Sequence, residues 1–167
     1  GSLWSEGWKT VRWAELPNDF VESNYDKLPY LHGRYNVIER NEIHTGMQNP
    51  ALGDGNAIYV SGTGEGNVFR ENYIHSFETV NGIIRADDKQ EECTFERNIC
   101  TDFKGRGILW KGQNMIVNNN IIYDIEEMGQ GYLVFKHDPG KGFLMNGAIA
   151  NNNIFVHVRE EYKDRAI

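Results

Sequence analysis

The segment GIIRADDKQ, residues 82–90, carries the side chains most able to do chemistry. Arg85, Asp87 and Asp88 follow a short apolar run with β-branched residues, which is typical of a strand. A carboxylate beside a cation keeps its negative charge at neutral pH, which suits a nucleophile or a general base. The chemistry of this segment therefore depends on which side chains the fold places next to it.

Five segments of the chain repeat one template. Each has two mostly apolar residues, two mostly polar residues, an Asn, a variable residue and an apolar residue. The segments are NVIERNEIHT (36–45), NVFRENYIHS (67–76), CTFERNICTD (93–102), MIVNNNIIYD (115–124) and AIANNNIFVH (148–157). The template asparagines are Asn41, Asn72, Asn98, Asn120 and Asn153, which are 31, 26, 22 and 33 residues apart by subtraction. These steps are about the length of one coil of a β-solenoid with inserted loops.

The repeated Asn predicts a stack of turns rather than a catalytic group. A helical solenoid would show apolar residues at helical spacing over longer segments and would tolerate fewer Gly and Asn residues. Three short strands per coil, joined by turns that Asn and Gly adopt readily, fit the repeat better. Each Asn amide can then bond to the Asn of the neighbouring coil.

The pattern resembles the right-handed parallel β-helix proteins of the pectate-lyase-like class over about residues 35–158. Three segments are similar, more narrowly, to β-helix carbohydrate-active enzymes, glycoside hydrolases in particular. They are DGNAIYVSGTGEGNVFRENYIHSF, IIRADDKQ and GRGILWKGQNMIVNNNII. The resemblance implies an all-β, right-handed parallel β-helix of about five coils, with a sugar-binding groove beside the strand that ends in paired Asp.

The repeat also sets the predicted domain boundaries. Residues 1–34 do not fit the template, so we expect an N-terminal cap or loop there. Residues 35–158 form the predicted β-helix, and residues 159–167 a short charged tail. Because a solenoid exposes unpaired strand edges at its ends, end-to-end or edge contacts between copies are an open alternative.

Aligning the coils on their asparagines predicts the neighbours of Asp87. Ser61 and Lys111 would flank it on the adjacent coils, and Tyr59 would flank Arg85. The inward column would be Val60, Ala86, Trp110 and Phe135, with Ile58, Ile84, Ile108 and Leu133 beside it. A register shifted by one residue would bury the charges, so the apolar column supports the alignment.

The side chains that this alignment turns outward form the candidate site. The predicted catalytic residues are Asp87, Asp88 and Lys111. The predicted substrate-binding residues are Tyr59, Arg85, Lys136, His137 and Asp138. Neighbouring coils are about 4.8 Å apart, so these groups can reach one ligand. An ordinary ion pair between Asp87 and Lys111 is the structural alternative.

Glycoside hydrolysis is the first of three candidate functions. It needs two carboxyl groups, roughly 5 Å apart for retention of configuration and 6.5–9.5 Å apart for inversion. Asp87 or Asp88 would supply one. For the second, Asp138 is predicted two coils away, on the order of 10 Å by coil spacing, and Asp54 precedes the neighbouring strand.

A polysaccharide lyase and a non-catalytic sugar-binding module are the two alternatives. A lyase removes the proton next to a uronate carboxylate and needs cations to neutralise that carboxylate. The predicted set for this reaction is Arg85, Lys111, Lys136 and His137, with Tyr59 as the acid. A binding module needs only the flat face that every solenoid presents.

Composition restricts the partners. A formal net charge of −7 argues against nucleic acid, because phosphate binding needs a basic surface. No apolar run approaches the roughly 20 residues of a membrane span. We expect a carbohydrate substrate and no cofactor, with the paired Asp as a weak calcium signal. The opening Gly-Ser is typical of a cloning remnant, and we expect an extracellular or periplasmic protein.

Overall fold

The structure is a computed structural model that describes residues 33–49, 54–61, 63–128, 131–137, 139 and 144–158. Only the backbone is described for residues 79, 88, 89 and 126–128. The predicted C-terminal tail, and all but the last two residues of the predicted N-terminal segment, lie outside the described residues.

Fifteen strands are present in the described part of the chain. In chain order they are β1 (Val37–Glu39), β2 (Glu42–His44), β3 (Ile58–Ser61), β4 (Val68–Arg70), β5 (Tyr73–Val80), β6 (Ile84–Glu91), β7 (Thr94–Glu96), β8 (Ile99–Gly105), β9 (Ile108–Gln113), β10 (Ile116–Asn118), β11 (Ile121–Tyr123), β12 (Ile125–Met128), β13 (Leu133–Phe135), β14 (Ile149–Asn151) and β15 (Ile154–Val156). No described residue lies in an α-helix, and none of the described chain forms a helix able to cross a membrane.

The strands form three sheets in which all paired strands are parallel. Sheet A has the order β1-β4-β7-β10-β14, sheet B the order β2-β5-β8-β11-β15, and sheet C the order β3-β6-β9-β13. Strand β12 also pairs with β8. Because each sheet takes one strand from each successive coil, the chain winds through A, B and C in turn. The predicted all-β parallel β-helix is confirmed.

The corners of the coils are built on residues with left-handed backbone. The corner between sheets A and B uses Arg40, Glu71, Arg97, Asn119 and Asn152, with φ between 52° and 57°. A second set of left-handed residues bends the chain at equivalent points along the sheet B segments. They are Thr45, Ser76, Asp102 and Asp124, of which Ser76 lies inside β5 and Asp102 inside β8. Non-glycine residues adopt this conformation at a cost, which the repeated stacking of equivalent corners must offset.

The template asparagines form a continuous ladder inside one corner. The side-chain Nδ2 group of Asn41 donates to Oδ1 of Asn72, at 3.0 Å, and the same 3.0 Å bond joins Asn72 to Asn98. Equivalent bonds follow from Asn98 to Asn120 and from Asn120 to Asn153. Each Asn backbone N–H also donates to the next Oδ1. The predicted structural role of the repeat is therefore confirmed.

The core is made of three inward columns. They are Ile38, Phe69, Phe95, Val117 and Ala150 in sheet A, Ile43, Ile74, Cys100, Ile122 and Phe155 in sheet B, and Val60, Ala86, Trp110 and Phe135 in sheet C. The predicted column of sheet C matches these pairings. Burial raises the pKa of the Cys93 thiol to about 12 and also raises that of Cys100, so both thiols are protonated and unreactive.

Candidate site on the outer face of sheet C

The register of sheet C determines which candidate residues lie side by side. Tyr59 pairs with Arg85 and Ser61 with Asp87 across β3 and β6, as predicted. Across β6 and β9 the register shifts between Ala86 and Gln90, because β6 has more residues than β9 between the paired positions on either side of the shift. Inward and outward side chains alternate along a strand, so Arg85 and Asp87 point away from the core.

Asp87 lies at the centre of an ion-pair network that spans three coils. Its Oδ2 atom accepts a hydrogen bond from the guanidinium of Arg85, and its Oδ1 atom accepts one from the ammonium of Lys111. The other terminal nitrogen of Arg85 donates to Oδ1 of Asp54 at 3.0 Å. The guanidinium of Arg85 also lies 5.3 Å from the ring centroid of Tyr59. Two carboxylates are therefore joined through one guanidinium.

The centre of this network is enclosed although it lies on the outer side of the sheet. Asp87 is 3 % exposed, and Arg85 and Lys111 are each 8 % exposed. Leu109, the outward residue paired with Arg85, is also buried. Asp54 differs, because 81 % of its side chain is exposed. A ligand that reaches this network from solvent therefore meets Asp54 first.

Two residues that the sequence argument did not select complete the network. Asn81 lies between β5 and β6, and its Nδ2 group donates to Oδ1 of Asp54 at 2.7 Å. Arg106 lies between β8 and β9 and donates to the side-chain oxygen of Asn81. Both belong to corners outside the Asn template, so the repeat carried no signal for them.

The contacts of Asp54, Arg85 and Arg106 account for the direction in which the pKa of each is shifted. The hydrogen bond from Asn81, and next the one from Arg85, hold the pKa of Asp54 below its usual value. Burial acts to lower the pKa of Arg85, but the Asp87 and Asp54 carboxylates outweigh it and raise that pKa. Burial, and then the charge of Arg85, lowers the pKa of Arg106. Asp54 is therefore ionised in the ligand-free site.

Two of the remaining predicted residues, Lys136 and His137, are not joined to this network within the described part of the chain. Lys136 and His137 follow β13 and are exposed, and neither side chain forms an ion pair with a described residue. The side chain of Asp88 is not described, although its backbone lies in β6. Asp138 lies outside the described residues. The structure thus brings together Tyr59, Arg85, Asp87 and Lys111 of the predicted set, and places beside them Asp54, one of the two candidates for the second carboxyl group.

The cluster is a poor match for a calcium site. Both of its described carboxylates already accept hydrogen bonds from cationic side chains, which a calcium ion would have to displace. In the described ranges, no group of three or more His, Cys, Asp or Glu side chains is arranged to hold a metal ion.

Comparison with known proteins places the whole solenoid in one family. The family described as right handed beta helix region matches residues 18–160, which contain all three sheets. No curated protein and no solved structure matches the chain.

Proposed function

This chain belongs to the right-handed β-helix family, and on that scaffold we propose that it is a carbohydrate-active protein that hydrolyses a poly- or oligosaccharide at the outer face of sheet C. One observation carries the proposal: the carboxylates of Asp54 and Asp87 share the guanidinium of Arg85. A substrate of this kind puts the site of action in the extracellular or periplasmic space.

The shared guanidinium sets the distance between the two carboxyl groups. Two carboxylates bound to the two terminal nitrogens of one arginine lie roughly 5–8 Å apart by the dimensions of the guanidinium fork. That range overlaps the separations used by retaining and by inverting glycoside hydrolases. Asp54 and Asp87 therefore form a better-supported pair than the alternative of Asp87 with Asp138.

The surroundings of the two carboxyl groups suggest different roles. Asp87 lies between Arg85 and Lys111, which favours the ionised form that a nucleophile or base requires. Asp54 is exposed, and its low pKa depends on donors from Asn81 and Arg85. A sugar that displaced the Asn81 amide would remove the largest cause of this lowering, so the pKa of Asp54 would rise as a general acid requires, while Arg85 still joined the two carboxyl groups.

A polysaccharide lyase is the second candidate, and the balance of charge favours it. The cluster holds three cationic side chains, Arg85, Arg106 and Lys111, against the carboxylates of Asp54 and Asp87. The surplus cation lies on a protein of net charge −7, so it would attract an anionic sugar unit. Arg106 beside Asn81 would then bind the uronate carboxylate.

A polysaccharide panel with two readouts distinguishes these reactions. Hydrolysis produces reducing ends without unsaturated sugars, whereas elimination produces both reducing ends and the absorbance of unsaturated uronates. We expect hydrolysis, and we expect Asp54→Asn to lower the rate about 100-fold or more, as loss of a positioned acid does. The matched control is Asp102→Asn, an exposed Asp within β8 of sheet B. Equal rates in the two variants would contradict a catalytic role for Asp54. Binding without product would favour the non-catalytic module.

Variants at Asp87 need a stability control because the residue is buried. Asp87→Asn leaves Arg85 and Lys111 without their shared partner, and breaking such a pair costs roughly 3–5 kcal/mol. Activity is therefore compared at a temperature at which each variant is folded, with Asp87→Asn/Lys111→Met as the charge-balanced reference. Lys111→Met alone distinguishes the two reactions, since a lyase in which Lys111 has passed its proton to Asp87 and acts as the base loses nearly all activity. A hydrolase keeps a measurable rate.

A further inference from the structure

The sequence contains two Asn-Gly dipeptides, Asn81-Gly82 and Asn146-Gly147. Asn is one of the chemically least stable residues, and a following Gly makes it most reactive. The backbone nitrogen of the following residue attacks the side-chain carbon Cγ, and Gly places no Cβ atom in the way. The reaction requires that the Asn side chain can turn onto that nitrogen. The surroundings of each dipeptide in the structure therefore decide its reactivity.

Contacts on both sides of its side-chain amide hold Asn81 in place. Its Nδ2 group donates to Oδ1 of Asp54 at 2.7 Å, and its Oδ1 atom accepts a hydrogen bond from Arg106. Gly82 is buried, and a Cβ atom there would lie 2.9 Å from the Leu109 side chain. Turning the amide onto the backbone nitrogen of Gly82 would break two hydrogen bonds to charged groups inside a packed corner. The structure therefore protects this dipeptide.

The second dipeptide, Asn146-Gly147, forms the exposed centre of a turn that precedes β14. A hydrogen bond of 3.3 Å from the Ala148 N–H to the Met145 carbonyl closes this turn. The Asn146 side chain donates from Nδ2 to Oε1 of Gln113, also at 3.3 Å. This distance is long for an N–H···O bond, and water can replace the bond at an exposed residue. The Asn146 side chain is therefore held much less firmly than that of Asn81.

We propose that Asn146 is a site of spontaneous deamidation and that the product loosens the pairing of β14 with β10. The backbone nitrogen of Gly147 bonds to Cγ of Asn146, the Cγ–Nδ2 bond breaks, and ammonia leaves with the proton of the Gly147 N–H. Water then opens the resulting cyclic imide at either of its carbonyl groups. One opening gives aspartate. The other gives isoaspartate, in which the main chain runs through the former side chain.

A carboxylate at position 146 disrupts a row of hydrogen bonds that crosses three coils. In the unmodified protein Asn146 donates to Gln113, and Nε2 of Gln113 donates to Oε1 of Glu91 at 3.2 Å. A carboxylate only accepts hydrogen bonds, so Gln113 would have to turn its amide group away from Glu91 to bond to it. Burial, and then the charge of Glu92, already raises the pKa of Glu91, so a further negative charge in this row is unfavourable.

Isoaspartate also changes the main chain where it meets the preceding coil. The Asn146 carbonyl accepts a hydrogen bond from the Asn114 N–H at 2.8 Å, and the Ile149 N–H donates to the Met115 carbonyl at 2.8 Å. These bonds lie on either side of the turn and place Ile149 of β14 beside Ile116 of β10. In isoaspartate the first carbonyl becomes a free carboxylate and the main chain gains an extra carbon. The two bonds then cannot both keep their spacing, so β14 is held less firmly.

Incubation of the folded protein followed by peptide mapping tests the reaction. Mass spectrometry of the peptides that contain Asn81 and Asn146 gives both rates in one sample, so Asn81 serves as the internal control. We expect Asn146 to deamidate about 10-fold faster or more, because the corner that holds Asn81 has to open first. In denaturing urea the two rates should become similar, since both dipeptides are then unstructured. Equal rates in the folded protein overturn the proposal. So does an Asn146 that stays intact in the folded protein and reacts only in urea.

The effect on β14 is measured with Asn146→Gln as the blocked variant, because Gln keeps an amide at this exposed position and does not form the same imide ring. Amide hydrogen exchange is followed in wild type and variant before and after incubation. We expect exchange in β14 to become faster in proportion to the deamidated fraction of the wild type and to stay constant in Asn146→Gln. Exchange in β7 should not change in either protein. Unchanged exchange of β14 in deamidated wild type overturns the proposed loosening, and so does an equal increase in Asn146→Gln.

Discussion

The side chain of Asn98 forms hydrogen bonds with both neighbouring coils of the solenoid. Its Oδ1 atom accepts from the backbone and side chain of Asn72, and its Nδ2 group donates to the Phe69 carbonyl and to Asn120. All four bonds are between groups of the buried corner, where an unpaired polar atom is costly. The ladder therefore fixes the register of consecutive coils as well as closing the corner.

Replacing Asn98 with Leu is expected to lower the free energy of unfolding by about 3 kcal/mol, since several buried donors and acceptors lose their partners. Asn41→Leu is the control, because Asn41 is exposed and lies at the end of the ladder. Urea unfolding at low protein concentration measures both. Equal midpoints for the two variants would show that position in the ladder does not matter.

The lowered pKa of Asp54 predicts that the stability of the protein depends on pH. Its folded-state pKa is lowered, first by Asn81 and then by Arg85, so its ionised form stabilises the fold. That contribution is complete above the unfolded-state pKa of about 3.9 and is lost as the pH falls through the folded-state pKa. We expect the wild type to exceed Asp54→Asn in stability at pH 6 and the difference to shrink below about pH 4. Urea unfolding at a series of pH values measures it, and a difference that stays constant with pH would contradict the role of this carboxylate.

At the scale of elements, the way strands β6 and β9 pair determines how Lys111 approaches Asp87. Both are longer than most of their neighbours, and they separate in register between Ala86 and Gln90. The strands come back together at Gly112, where a Cβ atom would lie 1.6 Å from the Gln90 carbonyl oxygen. Lys111 precedes this contact directly, so the absence of a side chain at position 112 allows the approach that pairs Lys111 with Asp87.

Gly112→Ala is accordingly expected to push β9 away from β6 and to destabilise the protein by roughly 1–3 kcal/mol, as overpacking does. Trp110 is buried two residues away, so its fluorescence should shift to longer wavelength. Gly33→Ala is the matched control, since its nearest atoms would lie at an ordinary 3.6 Å. A Gly112→Ala protein with wild-type unfolding and emission would show that the close approach is dispensable.

At the scale of the whole molecule, stability is expected to vary along the solenoid axis. Inner coils contact neighbours on both sides, and their core residues are buried, whereas core residues of the first and last described coils, such as Ile38 and Phe155, are partly exposed. Local opening costs least where fewest contacts are broken, so the ends should open before the middle.

Amide hydrogen exchange at low protein concentration measures this gradient. We expect the highest protection in β7, β8 and β9, and the lowest in β1, β14 and β15. Uniform protection along the axis at low concentration would contradict the gradient.

The sequence by itself determined the coil and its register. The Asn template repeats five times, and strands alternate inward and outward residues, so a single alignment put Val60, Ala86 and Trp110 in one buried column. The pairing of Tyr59 with Arg85 and of Ser61 with Asp87 followed from the same rule. These features are periodic, and a periodic feature can be read without knowing how the loops between repeats fold.

Only the tertiary structure decided the surroundings of Asp87. The carboxylate of Asp54, the amide of Asn81 and the guanidinium of Arg106 all come from corners whose lengths differ from coil to coil. Burial of Asp87 and its neighbours also had no sequence signal, because outward residues of a solenoid strand are expected to be exposed. Contacts made by irregular segments depend on where the three-dimensional path of the chain brings them, and no period in the sequence encodes that path.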